Sequence, residues 1–414
     1  MRLATVLISI LPLGATETFI IQNVTVHPVT SSEIANASVY VENGKIADIG
    51  TKMAKSKNVR VIEGKGLHLY PGMINSATEV GLTEISSVRE TSDSTELGVY
   101  NPNLKAVIAV NPASEHFPVV RANGITSVMT IPQGGVIAGQ AALIHTDGWT
   151  WEDMAIKRSA AMHLRFPTYS PATGRGLRGG GDVRPLFTEL KRNYEKSMRE
   201  LNDFFEQARR YQKGHDKTDL KFEAMIPVLE GKLPVIVSVV REREILEAIQ
   251  FATKQKIRIV LAGVRKPGKA LPEIKAKNIP VILGNTLALP MQEDDFYDDP
   301  ATLPAELHRA GVKFAFATFG VQFVRNLPFE AANAVAYGLP YDEALKAVTI
   351  NAAEIWGVSD QIGSIEKGKM ADLFLTDGDP LEAKTQIKQM FIAGRSVDLE
   401  SKHYKLYQKY LNRP

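Results

Sequence analysis

Five short apolar runs, GITSVMTI, LPVIVSVV, IRIVLAG, IPVILG and VKFAFAT, recur through the middle of the chain. Each lies near a longer amphipathic stretch such as REREILEAIQFATKQ or YDEALKAVTINAAEIWG. Runs that are apolar at every position belong to strands covered on both faces, and helices between such strands make them parallel. Repeated over roughly 290 residues, 70–359, the alternation predicts an α/β fold, a (β/α)8 TIM barrel with its chemistry at the C-terminal ends of the strands. A doubly wound sheet has no support, because no G-x-G-x-x-G follows a strand.

The flanks have a different texture. FIIQNVTVHPV, ASVYVENGKIADIG with its Asn43-Gly44 turn, and VRVIEG read as short strands. GSIEKGKMADLFLTDGDP and QMFIAGRSV repeat that texture near the other end. The two ends are therefore expected to build one small composite β-sandwich from residues 16–69 and 360–400, followed by a tail, HYKLYQKYLNRP, within 401–414 that packs on the barrel or contacts another copy. Residues 1–15 carry a basic start and an apolar run of signal-peptide length, so the expectation is export to the periplasm or medium; the run is short of the ~20 residues of a membrane span.

Inventory limits the chemistry. There is no cysteine, so thiolate nucleophiles, thiolate metal sites and disulfides are excluded. His27, His68, His116, His145, His163, His215, His308 and His403 form no HxH, HxxxH or HExxH pair. A net charge of +3, from 49 basic and 46 acidic residues, gives no electrostatic footprint for nucleic acid. Small molecules or proteins are the expected partners.

PGMIN (71–75), RNLPFEAANAVAYGLPYDEALKAVTINAAEIWGV and IGSIEKGKMADLFLTDGDP together resemble the amidohydrolase superfamily, in particular its imidazolonepropionase-like and dihydroorotase-like members. The resemblance implies a barrel with a composite β-sandwich and metal-dependent hydrolysis of C–N bonds in amides. Such chemistry needs a divalent cation that lowers the pKa of a bound water, held by about three imidazole or carboxylate ligands. The family's I-D-x-H-x-H run after PG is here Asn75, Ala77 and Glu79 in place of the aspartate and the two histidines. Along the barrel, Ser238 stands where one family strand ends in a ligand histidine; Gly263, Val264 and Arg265 stand at the next; Phe319 or Gly320 fills the place of the last strand's aspartate. The resemblance thus implies a frame whose metal positions Ala77, Glu79, Ser238 and Phe319 are vacated.

Other segments are weighed against blander roles. SPATGRGLRGGGDVRP (170–185) reads equally as an anion-gripping lid using Arg175 and Arg178 or as a solvated loop. MQEDDFYDDP (291–300) lacks the EF-hand order and reads as an acidic surface loop before a calcium site. TSDSTELGVYNPN (91–103) either braces the barrel or folds over its mouth, where Glu79, Glu84, Arg89 and Asp93 would form a polar pocket, with Asn75 and Arg265 as further pocket candidates. His145 and His163 lie on strand-like runs as core residues or pocket residues. QGGVIAGQAAL is not a P-loop, and no G-x-S-x-G elbow is present.

Two functions follow. The favoured one is a catalytically degenerate family member with no metal cofactor that binds a small-molecule or peptide-like ligand, pairs with an active relative, or forms a homo-oligomer. The alternative is an active C–N hydrolase that holds zinc with Glu79, His145, His163 and a loop carboxylate.

Overall fold

The computed structural model describes residues 17–51, 59–169, 186–290 and 295–413. The expected leader, Arg175, Arg178, Glu293 and Asp294 lie outside the described residues.

The N-terminal strands are β1 (Phe19–Val26), β2 (Ile34–Glu42), β3 (Lys45–Gly50), β4 (Arg60–Glu63) and β5 (His68–Pro71). The barrel strands are β6 (Met73–Thr78), β7 (Ile125–Thr130), β8 (Ile137–His145), β9 (Ala155–Arg165), β10 (Val235–Ser238), β11 (Ile259–Val264), β12 (Val281–Leu283) and β13 (Phe314–Phe316). β14 (Leu373–Thr376), β15 (Ile387–Ile392) and β16 (Arg395–Val397) then return to the first sheet.

That sheet runs β16-β15-β14-β5-β1-β2-β3, with β4 also pairing β1, so the two ends of the described chain weave one layer. It curls until its wings touch. The rings of Phe19 and Phe391 stack at 4.5 Å, and Ala371 N–H donates to the carbonyl of Gly44 at 2.9 Å. Val39, Val41, Leu69, Leu373 and Leu375 fill the space inside the curl. The period-2 alternation along β1 and β2 places those apolar residues on a single face.

The second sheet, in the order β13-β12-β11-β10-β9-β8-β7-β6, is the barrel. Its edges meet where Phe319 N–H donates to Ala77 O at 2.9 Å. Seven strands are parallel. β8 is antiparallel to both neighbours, so the glycine-rich QGGVIAGQAAL segment, which carried no strand expectation, supplies most of one stave. The hairpins β7–β8 and β8–β9 replace the helices that a strict (β/α)8 alternation would place there. Inside the barrel, Ile74, Met129, Leu143, Ile236, Val260 and Ile282 pack in layers, over a floor made by Trp356 and Ile355. The lumen is a packed core. Only its C-terminal end is open to function.

PG in PGMIN has a steric explanation. The chain leaves the sheet at Pro71 and enters the barrel at Met73, and Gly72 N–H donates to Asp372 O at 2.8 Å. A Cβ added to Gly72 would lie 1.9 Å from the Thr126 hydroxyl oxygen. Gly72→Ala is therefore expected to cost about 1–3 kcal/mol through overpacking. Combining it with Thr126→Ala recovers part of the loss, as read by urea unfolding; an unchanged midpoint in the single variant would contradict this role for the glycine.

Candidate functional site at the barrel mouth

The residues set against the ligand positions lie on or just after barrel strands. Asn75 and Ala77 lie on β6, Ser238 ends β10, and Thr318 and Phe319 follow β13. Asn75 Nδ2 donates to Thr318 Oγ1 at 2.8 Å, while Asn75 Oδ1 accepts from the N–H groups of Thr318 and Ala77 at 3.3 and 3.4 Å. The Asn75 side chain thus fastens the first strand to the last. Thr318, which carried no expectation, is its partner.

The backbone is reshaped at two other positions. Phe319 has φ +58, in the left-handed region that disfavours a bulky residue. Gly263 has φ +79 and sits at a register shift between β11 and β12, so an imidazole placed there would be strained.

His163, on β9, is fully buried and lies inside the barrel beside Ser238. Its Nδ1 is 2.6 Å from Pro132 O and its Nε2 is 2.8 Å from Ser238 Oγ. A carbonyl only accepts, so Nδ1 carries the hydrogen, and the neutral ring's Nε2 accepts from the Ser238 hydroxyl. Burial pulls the His163 imidazole down to about 4, which keeps it neutral near pH 7. Sequence offered both residues separately; strand register, with His163 opposite Ile236 and Ser238 opposite Arg165, makes them a pair.

His145 is elsewhere. Because β8 runs antiparallel, the residue pairs with Ser127 near the start of β7, at the opposite end of the barrel. There its Nε2 meets Asp372 Oδ2 at 3.0 Å, with both side chains buried, and locks the barrel to the curled sheet. The expectation that His145 could reach the pocket is corrected by strand direction.

Glu79 is half-buried at the end of β6 and accepts from Thr83 Oγ1 at 3.3 Å. Thr83, Ser92 and Ser94 continue as a chain of hydroxyls, at 2.9 and 3.1 Å, through the loop that follows. This loop braces the barrel: Gln133 N–H donates to Ser94 O at 2.6 Å, and Tyr100 and Lys105 bridge to β8. Arg89 and Asp93 are exposed on it, and Glu84 turns toward Asn111, accepting its amide at 3.3 Å. The polar pocket drawn from these residues therefore reduces to Asn75, Glu79 and the hydroxyl chain.

Arg265 follows β11 and donates to Leu289 O at 2.9 Å. Beside it Asp295 takes Arg241 at 2.8 Å and Lys266 at 2.7 Å, with its own side chain only 8% exposed. At Asp295 the acidic loop is thus an ion-paired wall of the mouth and not a solvated surface. Glu330 was not singled out by sequence: its Oε2 accepts from Thr286 N, Thr286 Oγ1 and Leu287 N at 2.6, 2.7 and 3.2 Å, and burial raises its pKa. It anchors the segment that leaves β12.

The donors fit a catalytic cation poorly. His163 has both ring nitrogens engaged, Asn75 is committed to the strand closure, and Glu79 is a single carboxylate; among the described residues no three His, Asp or Glu side chains converge on a metal position.

A profile described as Amidohydrolase family matches residues 273–397. Amidohydrolase tasK of Hapsidospora irregularis is 23% identical over 409 residues, covering 89% of this chain, which spans 41% of that protein's length. The imidazolonepropionase of Flavobacterium johnsoniae is 26% identical over 396 residues, covering 86% of this chain and 89% of its own. A crystal structure of an amidohydrolase from Thermotoga maritima superposes with a TM-score of 0.79 at 27% identity, covering 92% of this chain and 99% of that one. The fold is that of a barrel hydrolase with a composite sheet. The chain belongs to the amidohydrolase superfamily.

The setting of Glu79 yields a signed pH effect. Burial raises its carboxyl pKa, against a smaller opposing pull from the Thr83 hydrogen bond. Folding therefore favours the protonated acid, and stability is lost as pH rises from the unfolded carboxylate value through the folded one. Glu79→Gln is expected to unfold at higher urea than the parent at about pH 7.5 and at the same urea at about pH 3.5, where both side chains are neutral. Equal differences at both pH values would show that the carboxyl is not held in its neutral form.

Proposed function

We propose that this chain uses the amidohydrolase barrel mouth to bind a small amide or peptide-like ligand, without the metal-activated water of its relatives. The reading rests on Asn75, whose side chain is bonded to Thr318 and to the Ala77 N–H within the barrel seam and so is not free to face a cation. Removing three imidazole or carboxylate ligands removes the ion, because affinity depends on the complete set. The mouth offers small polar groups over an apolar lumen and an ion-paired rim in which Arg241 and Lys266 meet Asp295 and Asp299 beside Arg265. Such a surface suits a neutral amide.

The zinc reading built on Glu79, His145 and His163 has no support in the distances, since His145 pairs with Asp372 at the far end of the barrel and His163 is spent on Pro132 and Ser238. These contacts favour ligand binding over C–N hydrolysis by a metal-bound water at this mouth.

Elemental analysis of protein purified without chelator, with and without added zinc and manganese, is expected to find well under one equivalent of retained metal. Thermal unfolding in the presence of cyclic amides and dipeptides is expected to rise for at least one ligand, and Thr318→Val, placed at the seam, weakens that rise. Near-stoichiometric metal surviving dialysis would overturn the reading.

A further inference from the structure

Most of the mouth residues are accounted for by strand closure or ion pairing, but the Ser238–His163 pair is not. β10 needs no hydroxyl at its last position for its ladder, because Ser238 is already in register with Arg165 on one side and Ala262 on the other. His163 is fully buried and could have been any apolar residue of similar size. Instead its ring is held at two points, by Pro132 O at 2.6 Å and Ser238 Oγ at 2.8 Å. The first contact fixes the tautomer; the second aims the remaining lone pair at the hydroxyl of Ser238, a residue that is only partly buried.

We infer that Ser238 is a nucleophile activated by His163, with the Pro132 carbonyl orienting the ring, and that the barrel mouth accepts acyl groups from small carboxylic esters. The arrangement has the logic of a hydrolytic triad in which a backbone carbonyl takes the orienting role of the acid. It rests on the reading above only in taking the mouth as the ligand site.

The steps balance. The Ser238 Oγ–H proton passes to His163 Nε2 as Oγ bonds the ester carbonyl carbon. The carbon–oxygen bond to the leaving alkoxide then breaks, and the Nε2 proton leaves with it as the alcohol. Water reverses the sequence, giving a proton to Nε2 as it attacks the acyl-serine and restoring Oγ–H when the carboxylic acid departs. Esters are the class indicated, because the pair supplies a nucleophile and one proton carrier, and an oxygen leaving group needs less assistance than an amine. The apolar lumen cluster that includes Ile236 and Ala262, with partly buried Phe319 packed on it, matches a short apolar acyl chain.

Full-length protein is incubated with an alkyl fluorophosphonate, which forms an O–P bond to a nucleophilic serine as the P–F bond breaks, and the adduct is located by intact-mass and peptide mass spectrometry. One adduct per chain on Ser238 is expected, together with hydrolysis of p-nitrophenyl acetate. Ser238→Ala, which removes a single oxygen, lowers both by roughly 100-fold or more, the scale of a positioned base and nucleophile. His163→Gln lowers labelling comparably while the serine remains. If that variant fails to fold, Ser238→Ala alone decides.

No adduct, or equal labelling of wild type and Ser238→Ala, would overturn the inference. Repeating the labelling with chelator separates it from the ligand-site reading. Ser238 labelling that disappears with chelator and returns with zinc would sink the metal-free reading, as would stoichiometric retained metal. Unlabelled protein that still binds amides without metal sinks the nucleophile alone.

Discussion

The barrel closes where β6 meets the segment after β13, and an amide side chain reinforces the backbone bond that joins them. Asn75 reaches across to donate to Thr318 Oγ1 and accepts from the Thr318 backbone, and Ala77 O takes the N–H of Phe319. An aspartate here would serve as a ligand and remain charged; an asparagine supplies both donor and acceptor and ends as a neutral staple. Once the edges are joined in this way, the lumen becomes an enclosed apolar core and the loops at the mouth acquire a rigid rim. Every reading of function depends on that rim.

A second set of contacts works at the other end. His145 and Asp372 join barrel to sheet beneath the lumen, and Asp372 also accepts from Ala393 N at 2.7 Å and, through its carbonyl, from Gly72 N. A buried acid satisfied on every side orders three separate segments, and removing it would leave an imidazole and an amide without partners in a dry environment. The barrel thus separates its duties: the N-terminal end carries the fastening and the C-terminal end carries the open chemistry.

Much of this was legible from residues. The doubly covered strands LPVIVSVV and VKFAFAT fix a barrel because only a sheet covered on both faces tolerates continuous apolar runs, and the superfamily's closing segment identifies how the chain returns to the first sheet. The resemblance set Ala77, Ser238 and Phe319 against ligand positions, and none of the three carries an imidazole or carboxylate. What sequence could not give was register and direction. Nothing in QGGVIAGQAAL announces an antiparallel stave, so His145 could not be assigned to the floor. Nothing in MHLRF or VIVSVV reveals that His163 and Ser238 stand side by side, since that follows from a two-residue offset between strands about 75 positions apart. Glu330 was hidden for a related reason: a glutamate in a helix is ordinarily solvated, and only the turn at Thr286 makes it an internal acceptor.

The sheet woven from both flanks has a kinetic consequence. β1 and β5 find one another early, yet β5 remains an edge until β14, some three hundred residues later, arrives to pair Leu69 with Leu375. Until then the row of backbone donors and acceptors on β5 is exposed and ready to pair with any extended chain. Contacts of such long range are made late and slowly, so β5 lacks that partner until the last strands arrive. The moment of greatest danger for this molecule is therefore the interval before its last strands emerge, when an unpaired β5 is most open to aggregation.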